Sequence, residues 1–250
     1  MIDTHCHLSY IDYDNLDELI NEMKNKNISG IINGVDKDSN DEAIKLSVRY
    51  SNIYAAIGFH PSEVDKIDYN YVEYIENNIS KIVAIGEIGL DYHYGKENIL
   101  KQKELFENQL LIAEKYNIPV IVHSRDAIMD TYEILKKYKV KGIIHAFSGS
   151  LEMANRFIDL GYKLGIGGVI TFKNCNLKDV VSKIDLKNIV LETDSPYLSP
   201  EPVRGKKNSP LNLEYIVKYI SNIKNISYED VINVTNNTAN TLFDLNIKLC

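Results

Sequence analysis

Five of the six histidines in this 250-residue chain stand where a short apolar run ends: His5 and His7, His60, His123 and His145. The first pair lies in Asp3-Thr4-His5-Cys6-His7. On a strand, side chains alternate between faces, so His5 and His7 share one face and Cys6 points to the other. Two imidazoles placed this way can hold one metal ion, and the opposite orientation of Cys6 argues against it as a third ligand. Glu87 sits in Gly86-Glu87-Ile88-Gly89, an apolar stretch where a carboxylate is costly unless it is paired or bound to a cation. Asp194 ends another run, Glu192-Thr193-Asp194. Imidazoles and carboxylates converging on one mouth suit Zn, Mn, Fe or a similar divalent ion. His5, His7, His123, His145, Glu87 and Asp194 are enough for two ions sharing Glu87 as a bridge. A hydrogen-bonded core histidine is the alternative for each ring taken singly, and the clustering at run ends is what favours ligands.

A second set of residues could hold substrate. Arg125 follows His123 by two positions, hence shares its face on a continuing strand, and a guanidinium there can grip a phosphate bidentately. The alternative is a salt bridge to Asp126 or Glu133. His60, next to Pro61, has no carboxylate partner visible in the sequence and reads as a phosphate contact. Arg204, Lys206 and Lys207 form one compact basic cluster, and Tyr197 is placed to stack on a terminal base. Asp91, Tyr92 and His93 fall on the expected loop after the fourth strand, with Asp91 able to orient a ligand histidine.

These residues need strands to carry them. Runs dense in Ile and Val occur at 1–5, 30–35, 53–59, 82–87, 119–123, 142–145, 163–167 and 188–192, the pattern of parallel strands covered on both faces. Amphipathic stretches lie between them: one behind Asp14 with Leu16, Leu19, Ile20 and Met23, and one behind Asp38-Ser39-Asn40 with Ala43, Ile44 and Leu46. Others span 97–116, 127–138, 151–160 and 177–184, and the tail adds helices at 211–223 and 228–245. Eight strands alternating with helices predict a (β/α)8 TIM barrel with additional C-terminal helices, whose functional residues lie at the carboxyl ends of the strands. No Gly-x-Gly-x-x-Gly follows the first strand, which counts against an open doubly wound sheet. No linker or composition break divides 1–250, so one domain is expected.

Net charge is -7, which argues against a broad nucleic-acid-coating face and leaves only local contact with a few phosphates. Cys6, Cys175 and Cys250 make no Cys-x-x-Cys pair and fit a reducing cytoplasm. The opening MIDTHCHLSYID lacks a basic segment and a long apolar core, so neither a signal peptide nor a membrane span is expected.

The motifs DTHCHL at 3–8, GFHP at 58–61, GEIGLDY at 86–92, PVIVHSRDA at 119–127, HAFSG at 145–149, LETDSPYL at 191–198 and RGKKNSP at 204–210 follow one another in an order that resembles the TatD-type metal-dependent deoxyribonucleases of the amidohydrolase superfamily. The resemblance runs from residue 2 to about 243. It implies a centre with His5, His7, Glu87 and Asp194 around one divalent ion (Mg, Mn or Zn) and Glu87, His123 and His145 around the other. It also implies hydrolysis of DNA, often as a 3′→5′ exonuclease, so a single-stranded 3′ end is the expected partner, and a monomer would suffice. Arg204 is tipped toward substrate by the same resemblance. Ala146 and Ser209 depart from the family's frequent Cys and Glu; Ala146 follows an inward-facing residue, and Ser209 suits a helix cap. In the mechanism expected, the ions lower the pKa of a bound water for attack on phosphorus, and Asp194 takes its proton. The competing expectation is an ester or amide hydrolase, such as an aminoacyl-tRNA deacylase or lactonase, since the same hydroxide serves carbonyl chemistry.

Overall fold

The computed structural model describes every residue except 68, 69, 94, 96 and 248–250; Cys250 lies outside the described residues. Eight parallel strands pair in sequence order. They are β1 (Ile2–Cys6), β2 (Ser29–Asn33), β3 (Ile53–Ile57), β4 (Ala84–Asp91), β5 (Val120–Arg125), β6 (Gly142–Ile144), β7 (Lys163–Ile166) and β8 (Ile189–Leu191). At the carboxyl end, the N–H of Asp194 donates to His5 O (2.9 Å) and that of His7 to Ser195 O (2.7 Å), which brings the last strand onto the first. The result is a nearly closed barrel with helices between its strands, as the sequence predicts.

The helices are α1 (Leu16–Asn25), α2 (Lys37–Arg49), α3 (Tyr71–Asn78), α4 (Ile99–Tyr116), α5 (Ile128–Leu135), α6 (Leu151–Asp159), α7 (Leu177–Lys183), α8 (Leu213–Lys224) and α9 (Tyr228–Phe243). Two details differ from expectation. The cap of α2 is Asp36, reciprocally bonded with Ser39, rather than the later Asp38-Ser39-Asn40 cluster. Helix α3 was not foreseen: it has eight residues and only Ile75 buried, too little for a helical period to show. Ser209 does cap the turn that leads into α8, accepting from the N–H of Leu211.

Alternation along the strands separates two apolar layers. The larger lies between sheet and helices, where Cys6 packs with residues such as Ile20 and Met23. The smaller gathers Ile2, Ile31, Ala56, Ala84, Ile121, Ile143 and Val190, one from each of seven strands, with Ala239, Phe243 and Leu245. This second group fills the barrel's interior from the amino-terminal end, and α9 closes it. Asn236 of α9 accepts a bond from Ile2 N (3.0 Å), and Tyr54 donates to Leu245 O (3.1 Å). The tail helix is therefore part of the barrel's core. With that end plugged by apolar side chains, the opposite end is left for polar chemistry. Truncating the buried plug, Phe243→Ala, is expected to lower unfolding free energy by about 3–5 kcal/mol in urea titrations. A change below about 1 kcal/mol, within the range of surface substitutions, would mean that α9 does not seal the core.

Candidate metal centre

At the carboxyl end a cavity of about 1210 Å³ opens, and the strand-end residues meet at its floor. The alternation on β1 carries His5 and His7 inward, with their Nε2 atoms 3.0 Å apart, while Cys6 turns outward and bonds Ile31 O. Asp194 Oδ1 lies 3.5 Å from each of those nitrogens. Glu87 divides its carboxylate. Oε2 is 3.5 Å from His5 Nε2 and 3.7 Å from His7 Nε2. Oε1 is 2.8 Å from His123 Nδ1, 3.7 Å from His145 Nε2 and 3.8 Å from His60 Nε2. His145 also approaches Asp194 Oδ1 at 3.7 Å and stacks on His5, with ring centroids 3.5 Å apart.

Among the described residues, three groups of donor atoms are compact enough to hold an ion: His5–Glu87–His145, His5–His7–Asp194 and His60–Asp91–His123, each within 4.8 Å. All six expected ligands fall within these groups. His60 differs from expectation, since it does have carboxylate neighbours, Glu87 and Asp91's cluster. Asp91 differs too. It is the last residue of β4, which pairs with β5 as far as Asp91↔Arg125 instead of ending at Glu87.

The electrostatics suit cations. Burial alone would raise the pKa of Glu87, but His5, His60 and His123 outweigh it and hold the carboxyl well below its ordinary value. Asp194 is likewise lowered against burial, by His7, His145 and His5. His60 is lowered to about 4 by burial, partly offset by Glu87. His145 goes the other way: burial opposes its charge, but Glu192, Asp194 and Glu87 raise its pKa. Among the described residues no lysine or arginine pairs with Glu87 or Asp194; their ionic neighbours are all imidazoles. Buried carboxylates ringed by imidazole nitrogens form a donor set that fits divalent ions.

The rings are fixed from behind. His7 Nδ1 lies 2.9 Å from Asn33 O, so it carries the proton and leaves Nε2 as the donor to an ion. His145 Nδ1 meets Glu192 Oε1 at 3.1 Å, and His123 Nε2 meets Asp91 Oδ2 at 3.1 Å. The orienting role expected of Asp91 thus has the required contact. Glu192 is a residue that sequence reasoning passed over, although a carboxylate in an apolar strand is the same signal that singled out Glu87. It is fully buried and accepts from the N–H of Ala146, which is held at φ +44°. Gly165 on β7 makes the room: a Cβ there would lie 2.1 Å from Glu192 Oε2.

Three side-chain amides hold the strand ends, and these too were missed. Asn40 of α2 accepts from Gly58 N (3.1 Å) and donates to Gly58 O (2.9 Å). Gln109 of α4 does the same to Phe59, at 2.8 and 3.0 Å, and Gln102 to Asp91, both at 2.9 Å. Each replaces a missing ladder partner for one residue beside His60 or His123. Their spacing of seven on α4 puts both glutamines on its buried face.

Of the expected substrate residues, Arg125, His60 and Tyr197 line the cavity. Tyr197 is 59% exposed, with its ring 6.1 Å from that of His7. Arg204 is not among the described lining residues. Its guanidinium lies 4.1 Å from the centroid of Phe172 and 3.7 Å from Glu201, which holds it outside. His93, left unassigned, faces Asp126 at 3.0 Å.

The family model for TatD-related DNases matches residues 2–244. The chain belongs to that family, and with it to the metal-dependent hydrolases. It is 38% identical to the "uncharacterized metal-dependent hydrolase YabD" of Bacillus subtilis, over 98% of this chain and 100% of that one. The Escherichia coli protein "uncharacterized metal-dependent hydrolase YcfH" is 32% identical over 98% and 96%. The crystal structure of YjjV, a TatD homolog from E. coli K12, superposes with a TM-score of 0.88 at 29% identity, covering 98% of each chain. Among the described residues of this family member, no helix is long and apolar enough to cross a membrane.

If Glu192 orients His145, Glu192→Gln should weaken Mn binding roughly 10- to 100-fold, by analogy with other carboxylate–histidine–metal sites. Calorimetric titration showing unaltered affinity would remove Glu192 from the centre.

Proposed function

We propose that this chain is a two-ion phosphodiesterase that hydrolyses DNA, acting on a single-stranded 3′ end as a 3′→5′ exonuclease in the cytoplasm. The observation that carries the reading is the divided carboxylate of Glu87, with Oε2 toward His5 and His7 and Oε1 toward His123 and His145. His5, His7, Asp194 and Oε2 would hold one ion; Oε1, His123 and His145 would hold the other. Bound there, divalent ions supply Lewis acidity and activate water at neutral pH. Magnesium, manganese and zinc are the candidates.

The chain's own groups do the rest. Asp194, kept ionised and partly open to the cavity, accepts the proton of the attacking water. Arg125 and His60 orient the phosphate from the β5 and β3 ends. His60 stays neutral near pH 7 because burial lowers its pKa, so its ring can accept as well as donate a hydrogen bond. Tyr197 faces the base of the bound nucleotide. Arg204 could meet only a more distant phosphate of a longer strand. One domain, 1–250, carries all of these parts.

Digestion of a 5′-labelled single-stranded oligonucleotide with Mg or Mn tests the reading. The expected result is a ladder shortening from the 3′ end, lost with Asp194→Ala and reduced at least 100-fold with Glu87→Gln, as expected when an oriented charged group is removed from such a centre. Folded, metal-replete protein that leaves the oligonucleotide intact but cleaves 4-nitrophenyl esters would transfer the assignment to carbonyl chemistry.

A further inference from the structure

Among the described residues at the mouth of the cavity, three large and mainly apolar side chains are exposed to solvent on the same side. Ile11 is 92% exposed, Tyr197 59% and Leu198 41%, and all three line the opening. Ile11 belongs to the loop after β1, and the other two to the loop after β8, the neighbouring strand across the seam. Leu198 is held there at φ +50°, a left-handed conformation unfavourable for leucine and characteristic of functional loops.

The two loops are tied to each other. Lys207 donates to Asp12 O, and Tyr13 donates to Asn208 O at 2.8 Å. Asn208, fully buried, in turn donates to Tyr197 O at 2.6 Å and Thr193 O at 2.8 Å. The apolar edge is therefore fixed in place before any ligand arrives.

Charge decides what would sit on it. Asp12, Asp36, Asp38 and Glu42 line this β1–β2 side of the mouth, an environment that repels phosphate. Asp65, Asp91 and Glu97 line the mouth after β3 and at or after the end of β4, where Asp65 is paired with Lys101 and Asp91 with His123. Arg125, the one lysine or arginine among the described lining residues, stands on β5, across the barrel from β1 in strand order. A ligand spanning the floor would place its phosphate toward β5 and an uncharged, flat or apolar portion toward β1 and β8.

We propose that Ile11, Tyr197 and Leu198 form a preformed lip that receives the terminal nucleobase of the substrate, while the phosphate it carries lies toward Arg125. This rests on the phosphodiesterase reading and deepens it: substrates are selected by the presence of a base at the cleaved end, through stacking and apolar contact that every base can make.

The test compares two 5′-labelled single-stranded oligonucleotides that differ only in the 3′-terminal residue, a normal thymidine or a tetrahydrofuran abasic residue. Wild-type protein should cleave the base-bearing end with a kcat/KM roughly tenfold higher, chiefly through KM, the scale of one stacked base. In Ile11→Asn/Leu198→Asn that ratio should fall below about twofold. The ratio is internal to each protein, so a general loss of activity does not imitate the result. Equal cleavage of both ends by the wild type overturns the lip and leaves the phosphodiesterase standing, as does a variant that keeps the full ratio. Cleavage of neither by metal-replete wild type ends both proposals.

Discussion

A carboxylate withdrawn from water needs positive charge or a full set of donors, and Glu87 finds neither lysine nor arginine among its described neighbours. It finds imidazoles. Imidazole is a conditional cation: the same ring either carries a proton or offers a lone pair to a metal ion. In the neutral state His5 can donate its Nε2–H to His7 Nε2 at 3.0 Å, which leaves His5 Nδ1 buried without a partner. With a divalent ion between them, that closeness becomes the useful property. The floor of the cavity is thus conditioned on charge at its centre, and removing Glu87 would take away the one carboxylate that approaches His5, His7, His60, His123 and His145 together.

Geometry at the centre also depends on groups that stand behind the rings. Asn33 O and Asp91 bond the far nitrogens of His7 and His123, and Glu192 Oε1 lies 3.1 Å from that of His145, so strand register selects which nitrogen points inward. Beyond them, Asn40, Gln109 and Gln102 grip the backbone where β3 and β4 run past their ladder partners. A strand that continues beyond its sheet has unpaired N–H and C=O groups, and burying those is costly. The amides settle that cost and also fix the reach of His60 and of the Asp91–His123 pair.

The strands were legible because parallel strands buried on both faces are dense in Ile and Val, and the clustering of the candidate ligands because chemistry gathers at strand ends. What escaped has physical causes. The dense Ile and Val run stops at Glu87, which hid the extension of β4 to Asp91. Gln102 and Gln109 resemble the solvent side of an amphipathic helix, since a polar residue that satisfies buried backbone looks like any other in one dimension. Glu192 stood in plain view, but its neighbour Asp194 absorbed the inference. The basic cluster at Arg204 is a different case: its charge alone reads as a solvated loop, and only the resemblance tips Arg204 toward substrate. Its guanidinium stacks on Phe172 away from the described cavity lining.

Two glycines complete the argument about why this end of the barrel can be so polar. Beyond the end of β2, a Cβ on Gly34 would fall 2.0 Å from Asn40 Oδ1, and on β7 one at Gly165 would fall 2.1 Å from Glu192 Oε2. In both places a strand gives up its own side chain so that a polar group from another element can stand over it. At the amino-terminal end the reverse holds: seven strands contribute apolar side chains and α9 adds Phe243. A barrel filled with bulky residues throughout would be better packed but could not admit a supporting shell. Separating an apolar floor that stabilises from a glycine-relieved upper layer that positions lets one set of eight strands do both.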